Sequence, residues 1–254
     1  MKITFLGTGT SIGVPQIGCH CEVCTSPDEH DKRLRTSALF EEGDTSLLVD
    51  CGPDFRQQML RAGISKPFDA VLITHEHYDH VGGLDDLRPF SYHHPQHLYA
   101  DAYAAEHLRQ RMPYCLVRNE YPGIPQLQLH EIEEGDRLQF GKLQVTALRV
   151  MHGMLPILGY RIGDVAYLTD MTALAPSSRP LLQGIRLLIV SALRHTPHTT
   201  HQSIEQAIAF SQSLGHIPTY FIHMSHQMGC HAKEEPLLPE GFHYAWDGLV
   251  LEIP

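Results

Sequence analysis

A mixed α/β fold (α+β), with β-sheets stacked face to face and helices covering the outside, is what this sequence predicts. Three observations carry the prediction. Short apolar and β-branched runs recur along the chain, Gly-Asp or Asp-Gly steps punctuate them as hairpins, and three intervening segments switch to helical spacing. In chain order, strands are expected at Lys2–Leu6, Ser37–Glu41, Ser46–Asp50, Ala70–Thr74, Leu143–Val150, Gly159–Ile162, Val165–Thr169, Leu187–Val190, Thr219–Ile222 and Leu249–Ile253. Helices are expected at Pro53–Ala62, Asp101–Arg111 and Gln202–Leu214, the last entered through a capping residue within His201 to Ser203. No repeat, low-complexity segment or Pro/Ser-rich linker divides the chain. Residues 1–254 are therefore read as a single domain with an inserted loop near residues 18–26.

Composition narrows the function. With 254 residues and 43% hydrophobic content, the chain can bury a large core, which excludes disorder and fibrous repeats. Acidic residues outnumber basic ones by 29 to 19, and a formal charge of -10 opposes tracking along a nucleic-acid backbone. A small substrate is favoured, with no extended nucleic-acid partner. The opening MKITFLGTGTSIGVP has only a short apolar run, where a secretory signal needs roughly 7–15 such residues. No stretch approaches the ~20 apolar residues of a membrane span. A cytoplasmic protein without a membrane partner is expected.

The most unusual count is 19 histidines, equal to Lys and Arg combined. Val71 to Thr74 reads as a buried strand running straight into His75, His77, Asp79 and His80. A loop starting after Thr74 can turn His75 and His77 toward one ion and Asp79 and His80 toward a second, and imidazole with carboxylate suits Zn, Mn or Fe. Cys19, Cys21 and Cys24 lie too close together for a separated disulfide framework, and in a reducing compartment such a cluster binds metal. A closed structural zinc site needs a fourth ligand. His226, three residues beyond His223, is the first choice, ahead of Cys230, His20 and His231. Cys51 and Cys115 are scattered elsewhere.

Thr74-His75-Glu76-His77-Tyr78-Asp79-His80 followed by Gly82-Gly83 resembles the signature of the metallo-β-lactamase superfamily. The opening strand with Gly7-Thr8-Gly9, the Leu47 to Gly52 segment, His152, Asp170 and His223 match that family's successive motifs in order. The resemblance implies an αββα sandwich of two mixed β-sheets flanked by helices. It also implies two divalent ions, one held by His75, His77 and His152 and the other by Asp79, His80 and His223, with Asp170 bridging. Asp50 would then orient the histidine loop without being a ligand.

The Cys19-x-Cys21-x-x-Cys24 loop together with His223-x-x-His226 is similar to the phosphoribosyl 1,2-cyclic phosphate phosphodiesterase branch, the PhnP-like proteins. Cys19, Cys21, Cys24 and His226 would hold one structural Zn. PqqB-type biosynthetic proteins share the cysteine loop but are not expected to keep the full HxHxDH set. The tRNA 3'-processing endonucleases keep the metal set but carry a basic arm that this chain lacks. These two remain the alternatives, an RNA nuclease and a metal-binding accessory protein, with lactamase or thioester hydrolysis behind them.

The expected activity is metal-dependent phosphodiester hydrolysis of a small phosphorylated substrate, a cyclic phosphate ester of phosphoribosyl or nucleotide-like type. Two ions sharing Asp170 and a water would lower the water's pKa and give a bridging hydroxide as nucleophile. Mn or Zn, or Fe, would serve, and the resemblance allows a homodimer. Asp79 and His201 are the expected catalytic residues. Thr200-His201 resembles the family's histidine at a helix start, which contacts phosphate and assists the leaving group, and a helix N-terminus favours anions. Arg35 and Arg88 are weighed as phosphate contacts against structural pairing, the latter with Asp85 and Asp86. His198, His93, His94 and His97 read as loop or surface residues.

Overall fold

The computed structural model describes residues 1–117 and 123–253. The first six strands are β1 (Lys2–Gly7), β2 (Ser37–Glu42), β3 (Thr45–Val49), β4 (Ala70–Leu72), β5 (Gln96–Ala100) and β6 (Leu127–Glu131). The remainder are β7 (Arg137–Phe140), β8 (Leu143–His152), β9 (Leu155–Ile162), β10 (Val165–Leu168), β11 (Ala173–Leu174), β12 (Leu187–Ser191), β13 (Thr219–Ile222), β14 (Phe242–Tyr244) and β15 (Val250–Glu252). Among the described residues they form two sheets, one ordered β15-β1-β2-β3-β4-β5-β6 and the other β11-β8-β9-β10-β12-β13-β14, with β7 pairing β8. Both are mixed. Antiparallel pairing holds from β15 to β3 and parallel pairing from β3 to β6. In the second sheet β8 to β10 are antiparallel and β10 to β14 parallel.

Alternation along the strands sorts side chains into three apolar layers. Ile3, Phe5, Phe40, Val49 and Leu72 of one sheet meet Val145, Tyr160, Tyr167 and Ile189 of the other in a buried middle layer. Their neighbours Leu6, Leu39, Leu48 and Val71 face outward, under Phe55 and Met59 of helix α1 (Phe55–Ala62) and Leu108 of α2 (Ala102–Arg111). On the far side Leu148, Leu168, Leu188 and Phe221 pack beneath Ile204 and Ala207 of α3 (Ile204–Ser213). Helix, sheet, sheet, helix is the expected layering, a metallo-β-lactamase fold.

The departures from expectation are local. β4 stops at Leu72, two residues before the expected Thr74, because the Thr74 amide donates to the Asp50 side chain (2.8 Å) in place of a sheet partner. β9 starts at Leu155, earlier than Gly159, despite Pro156. The residues before Tyr160 have no β10 partner, so the missing proline N–H breaks no ladder on that side. β5, β6, β7, β11 and β14 were not expected. They are short, and β6 alternates weakly at the edge of its sheet, so propensity marks them poorly. Among the described residues no helix is long and apolar enough to cross a membrane.

Candidate metal centre

The donors emerge at one end of the sandwich because the strands that carry them point the same way within each sheet. Asp50 follows β3, His75 comes three residues after β4, His152 ends β8, Asp170 comes two residues after β10 and His223 follows β13. Asp50, Asp170 and His223 have φ of 59°, 53° and 57°, in the left-handed region that costs a non-glycine residue about 1–3 kcal/mol. Packing on both sheets holds these turns, and each turn swings a side chain inward.

A hydrogen-bond chain behind the centre sets the tautomers. Thr74 Oγ1 donates its single hydrogen to the Asp50 carboxylate, so toward His75 Nδ1, 3.0 Å away, it accepts. His80 Nδ1 donates to Asp50 Oδ2 at 2.7 Å. His152 Nδ1 donates to the Thr200 carbonyl at 2.8 Å. In all three rings the proton sits on Nδ1, leaving the Nε2 lone pair for the centre, as outer-shell partners do for metal-binding histidines.

Two donor groups result. The ligating atoms of His75, His77 and His152 lie within 4.8 Å of one another. His75 Nε2 and His77 Nδ1 are 3.0 Å apart, close to the edge of roughly 3.3 Å expected for two nitrogens about 2.05 Å from one tetrahedral ion. Asp79, His80, Asp170 and His223 form the second group. His80 Nε2 lies 3.1 Å from Asp79 Oδ2 and 3.3 Å from Asp170 Oδ1, while His223 Nε2 lies 3.4 and 3.2 Å from the same two oxygens. Asp170 Oδ2 turns the other way, 3.8 Å from His75 Nε2.

These residues fit divalent ions. The buried His80 Nε2 has no hydrogen-bond partner, although two carboxylates face it. Burial opposes the ionisation of Asp170, yet His223 and His80 draw its carboxyl well below the usual range. Burial holds His75 well below the usual imidazole range and keeps its ring neutral.

His201 lies within this constellation. Its ring is 5.0 Å from His223 and 4.7 Å from His152, and Nδ1 is 3.9 Å from Asp170 Oδ2. Burial first, then His223, lowers its pKa to about 3, so the free side chain is neutral at neutral pH. The start of α3 has fewer free amides for an anion than the sequence suggests. Ser203 is the N-cap, and a reciprocal capping box with Gln206 engages the N-cap and N3 amides of α3.

The structure also gathers Cys19, Cys21, Cys24 and His226. His226 Nδ1 lies 3.5 Å from Cys19 Sγ and 3.2 Å from Cys21 Sγ, near the edge of roughly 3.6 Å for a tetrahedral Zn with sulfur and nitrogen ligands. The His226 hydrogen bond, chief among several, lowers the Cys21 thiol to about 6, while burial raises Cys24 to about 11. Cys230 packs beside this group without joining it, and His231 instead stacks on His30 at 4.9 Å.

Arg35 is bound to Asp54 at 3.0 Å and Arg88 to Asp85 at 2.8 Å, the structural pairing in each case. His93 and His94 are exposed, and His97 on β5 contacts His130 at 2.9 Å. Sequence reasoning assigned no hydrogen-bonding role to Thr74, to Thr169, whose hydroxyl donates to Asp170 Oδ1 at 2.7 Å, or to the Thr200 carbonyl. A threonine directly preceding His75 and Asp170 was the available signal.

Residues 45–224 match the family model described as a β-lactamase superfamily domain. The crystal structure of a diphosphatase from the PhnP family superposes with a TM-score of 0.90 at 38% identity, covering 98% of this chain and 96% of that one. Zn-bound PqqB from Methylobacterium extorquens has a TM-score of 0.80 at 21% identity over all of both chains, which speaks to fold alone. An octanoyltransferase of Porphyromonas gingivalis is 47% identical over 251 residues, 98% of this chain. The chain spans only 51% of that relative's length.

Proposed function

Since the chain belongs to the β-lactamase superfamily, as a PhnP-like hydrolase, we propose that it is a phosphodiesterase that opens a small cyclic phosphate ester. The observation that carries this reading is the position of Asp170, whose two oxygens face the two donor groups separately. His75, His77 and His152 would hold one divalent ion, and Asp79, His80 and His223 the other, with Asp170 shared; Mn, Zn and Fe all suit these donors. When bound, the ions supply Lewis acidity and acidify a water to near neutrality.

The chain's own groups do the rest. Asp50 and Thr74 keep the loop histidines aimed, and the Thr200 carbonyl does so for His152. His201, neutral when free, would gain basicity beside a phosphate anion and so could carry a proton toward the leaving sugar oxygen. Cys19, Cys21, Cys24 and His226 would hold a structural Zn that braces the loop before β2.

A second reading, acyl ester or thioester hydrolysis, is favoured by the name of the octanoyltransferase relative. The cavity bordering His201 is lined by Thr10, Ser11, Gln16, Ser225 and Gln227 together with Ile12 and Leu193. Metal analysis with a substrate panel tests the choice. Metal-stripped protein should recover activity with Mn or Zn on phosphoribosyl 1,2-cyclic phosphate or a 2',3'-cyclic nucleotide. Turnover of octanoyl esters but of no phosphodiester, across the metal series, would overturn the proposal.

A further inference from the structure

A cavity of about 540 Å3 lies on the outer face of the first sheet and shares no residue with the metal centre. Lys2, Thr4 and Leu6 of β1 line it, because they alternate with Ile3 and Phe5, which point into the middle layer. Residues 61–66, the end of α1 and the turn after it, line another side.

Positive charge dominates this lining in a chain of formal charge -10. Lys2, Arg61 and Lys66 face a single acid, Glu41, whose carboxylate is taken by Lys2 at 2.8 Å. The other large cavity, near Asp101, is lined instead by Glu131, Glu133 and Asp136. Among the described residues the side chains of Thr4, Ser65 and Lys66 have no hydrogen-bond or ion-pair partner. Two hydroxyls and an ammonium therefore have donors to spare. Arg61 is anchored through Nη1 to Asp247 Oδ2 at 3.3 Å and through Nη2 to the Leu6 carbonyl, which fixes its guanidinium plane and leaves Nε–H uncommitted. In the turn, the Gly63 and Ile64 amides occupy the Leu60 and Met59 carbonyls, so the negative end of α1 is capped.

Arg61 also connects the cavity to the metal centre. The buried Asp247 side chain accepts from the Thr8 amide at 2.9 Å, from Thr8 Oγ1 at 2.8 Å and from the Leu34 amide at 2.7 Å. The Thr8 carbonyl in turn accepts from the amide of Met224 at 3.0 Å, and Met224 directly follows His223. Of the contacts to Asp247, the one from Arg61 is the longest. A ligand that takes up Arg61 competes with that contact, and such a differential interaction is what a shift along this chain of bonds requires.

We propose that this cavity is an effector site for a small phosphomonoester, whose phosphate is held by Arg61 and Lys66 with the hydroxyls of Thr4 and Ser65, and whose binding changes the setting of His223 through Asp247, Thr8 and Met224. A phosphate dianion supplies the charge and the acceptor oxygens that this donor set lacks. The volume of about 540 Å3 lies within the roughly 300–1,000 Å3 of small-molecule sites. The site stands apart from the reaction proposed for the metal centre, and no bond is made or broken in it.

The test is a titration of the full Zn-loaded chain with glycerol 3-phosphate, followed by amide NMR, which reads the cavity and the metal end separately. The Gly63, Ser65, Lys66 and Gly248 amides should shift with a Kd on the order of 1 mM, and the Thr8 and Met224 amides with the same Kd. Lys66 makes no hydrogen bond or ion pair, so Lys66→Glu should fold as wild type does. It should weaken both sets of shifts about 10-fold, and Lys66→Arg should restore them. Cavity shifts that are absent, or that survive Lys66→Glu unchanged, overturn the site. Cavity shifts that leave Thr8 and Met224 unmoved overturn the effector role. Shifts of Thr8 and Met224 alone put the ligand on the metal centre and overturn the proposal as well.

Discussion

Oδ2 of Asp50 lies 2.7 Å from Nδ1 of His80, with both side chains fully buried. Through Thr74, the same carboxylate also governs His75, so one group behind the centre orients one histidine from each donor group. Asp50→Asn keeps the shape but replaces an acceptor oxygen by a donor. Metal affinity should fall about 10–100-fold, as measured by calorimetric titration of the metal-stripped protein. Unchanged affinity would remove Asp50 from the proposed role.

Gly52 allows the chain after Asp50 to press against the histidine loop. A Cβ there would sit 2.1 Å from the Asp79 carbonyl oxygen. Gly52→Ala must therefore shift the loop, at an overpacking cost of about 1–3 kcal/mol. Metal content should fall at the His/Asp centre and not at the cysteine site. Full occupancy of both would refute the coupling.

The cysteine site predicts a stability effect of its own. Cys21→Ser removes the thiol closest to His226 and, if the site holds a structural metal as proposed, should weaken its binding and destabilise the chain by about 2 kcal/mol or more. At this chain size that corresponds to a Tm lower by roughly 4–8 °C. A melting curve identical to wild type, with and without chelator, would count against a structural metal.

Tyr160 links the core to the centre. Its buried hydroxyl donates to the Ile73 carbonyl at 2.5 Å, just before His75. Tyr160→Phe leaves that carbonyl short of a partner and should cost about 1–3 kcal/mol in denaturant unfolding. Metal affinity should change less than in Asp50→Asn, because the donor tautomers are left intact.

Much of the centre was legible in the chain because its densest part is local. His75, His77, Asp79 and His80 are brought together by covalent spacing alone, and the triple cysteine loop likewise. Strand-sized apolar runs and three helical patterns were enough to anticipate two sheets covered by helices. The short strands β5, β6, β7, β11 and β14 were not legible, since neighbouring strands stabilise them more than their own residues do.

Sequence by itself determined the donor atoms and the ligand-dense loop. It ranked His226 ahead of Cys230, His20 and His231 as the fourth donor, which the structure bears out, but it could not say that Arg35 belongs to Asp54. Those are distances between residues far apart in the chain, decided by sheet register. A strand shifted by one residue would turn its side chains to the other face. His152, Asp170 and His223 converge because β8, β10 and β13 end together at one edge, and left-handed turns at Asp170 and His223 aim two of them inward. Tertiary packing supplies the energy that holds those turns, and no local sequence signal contains it.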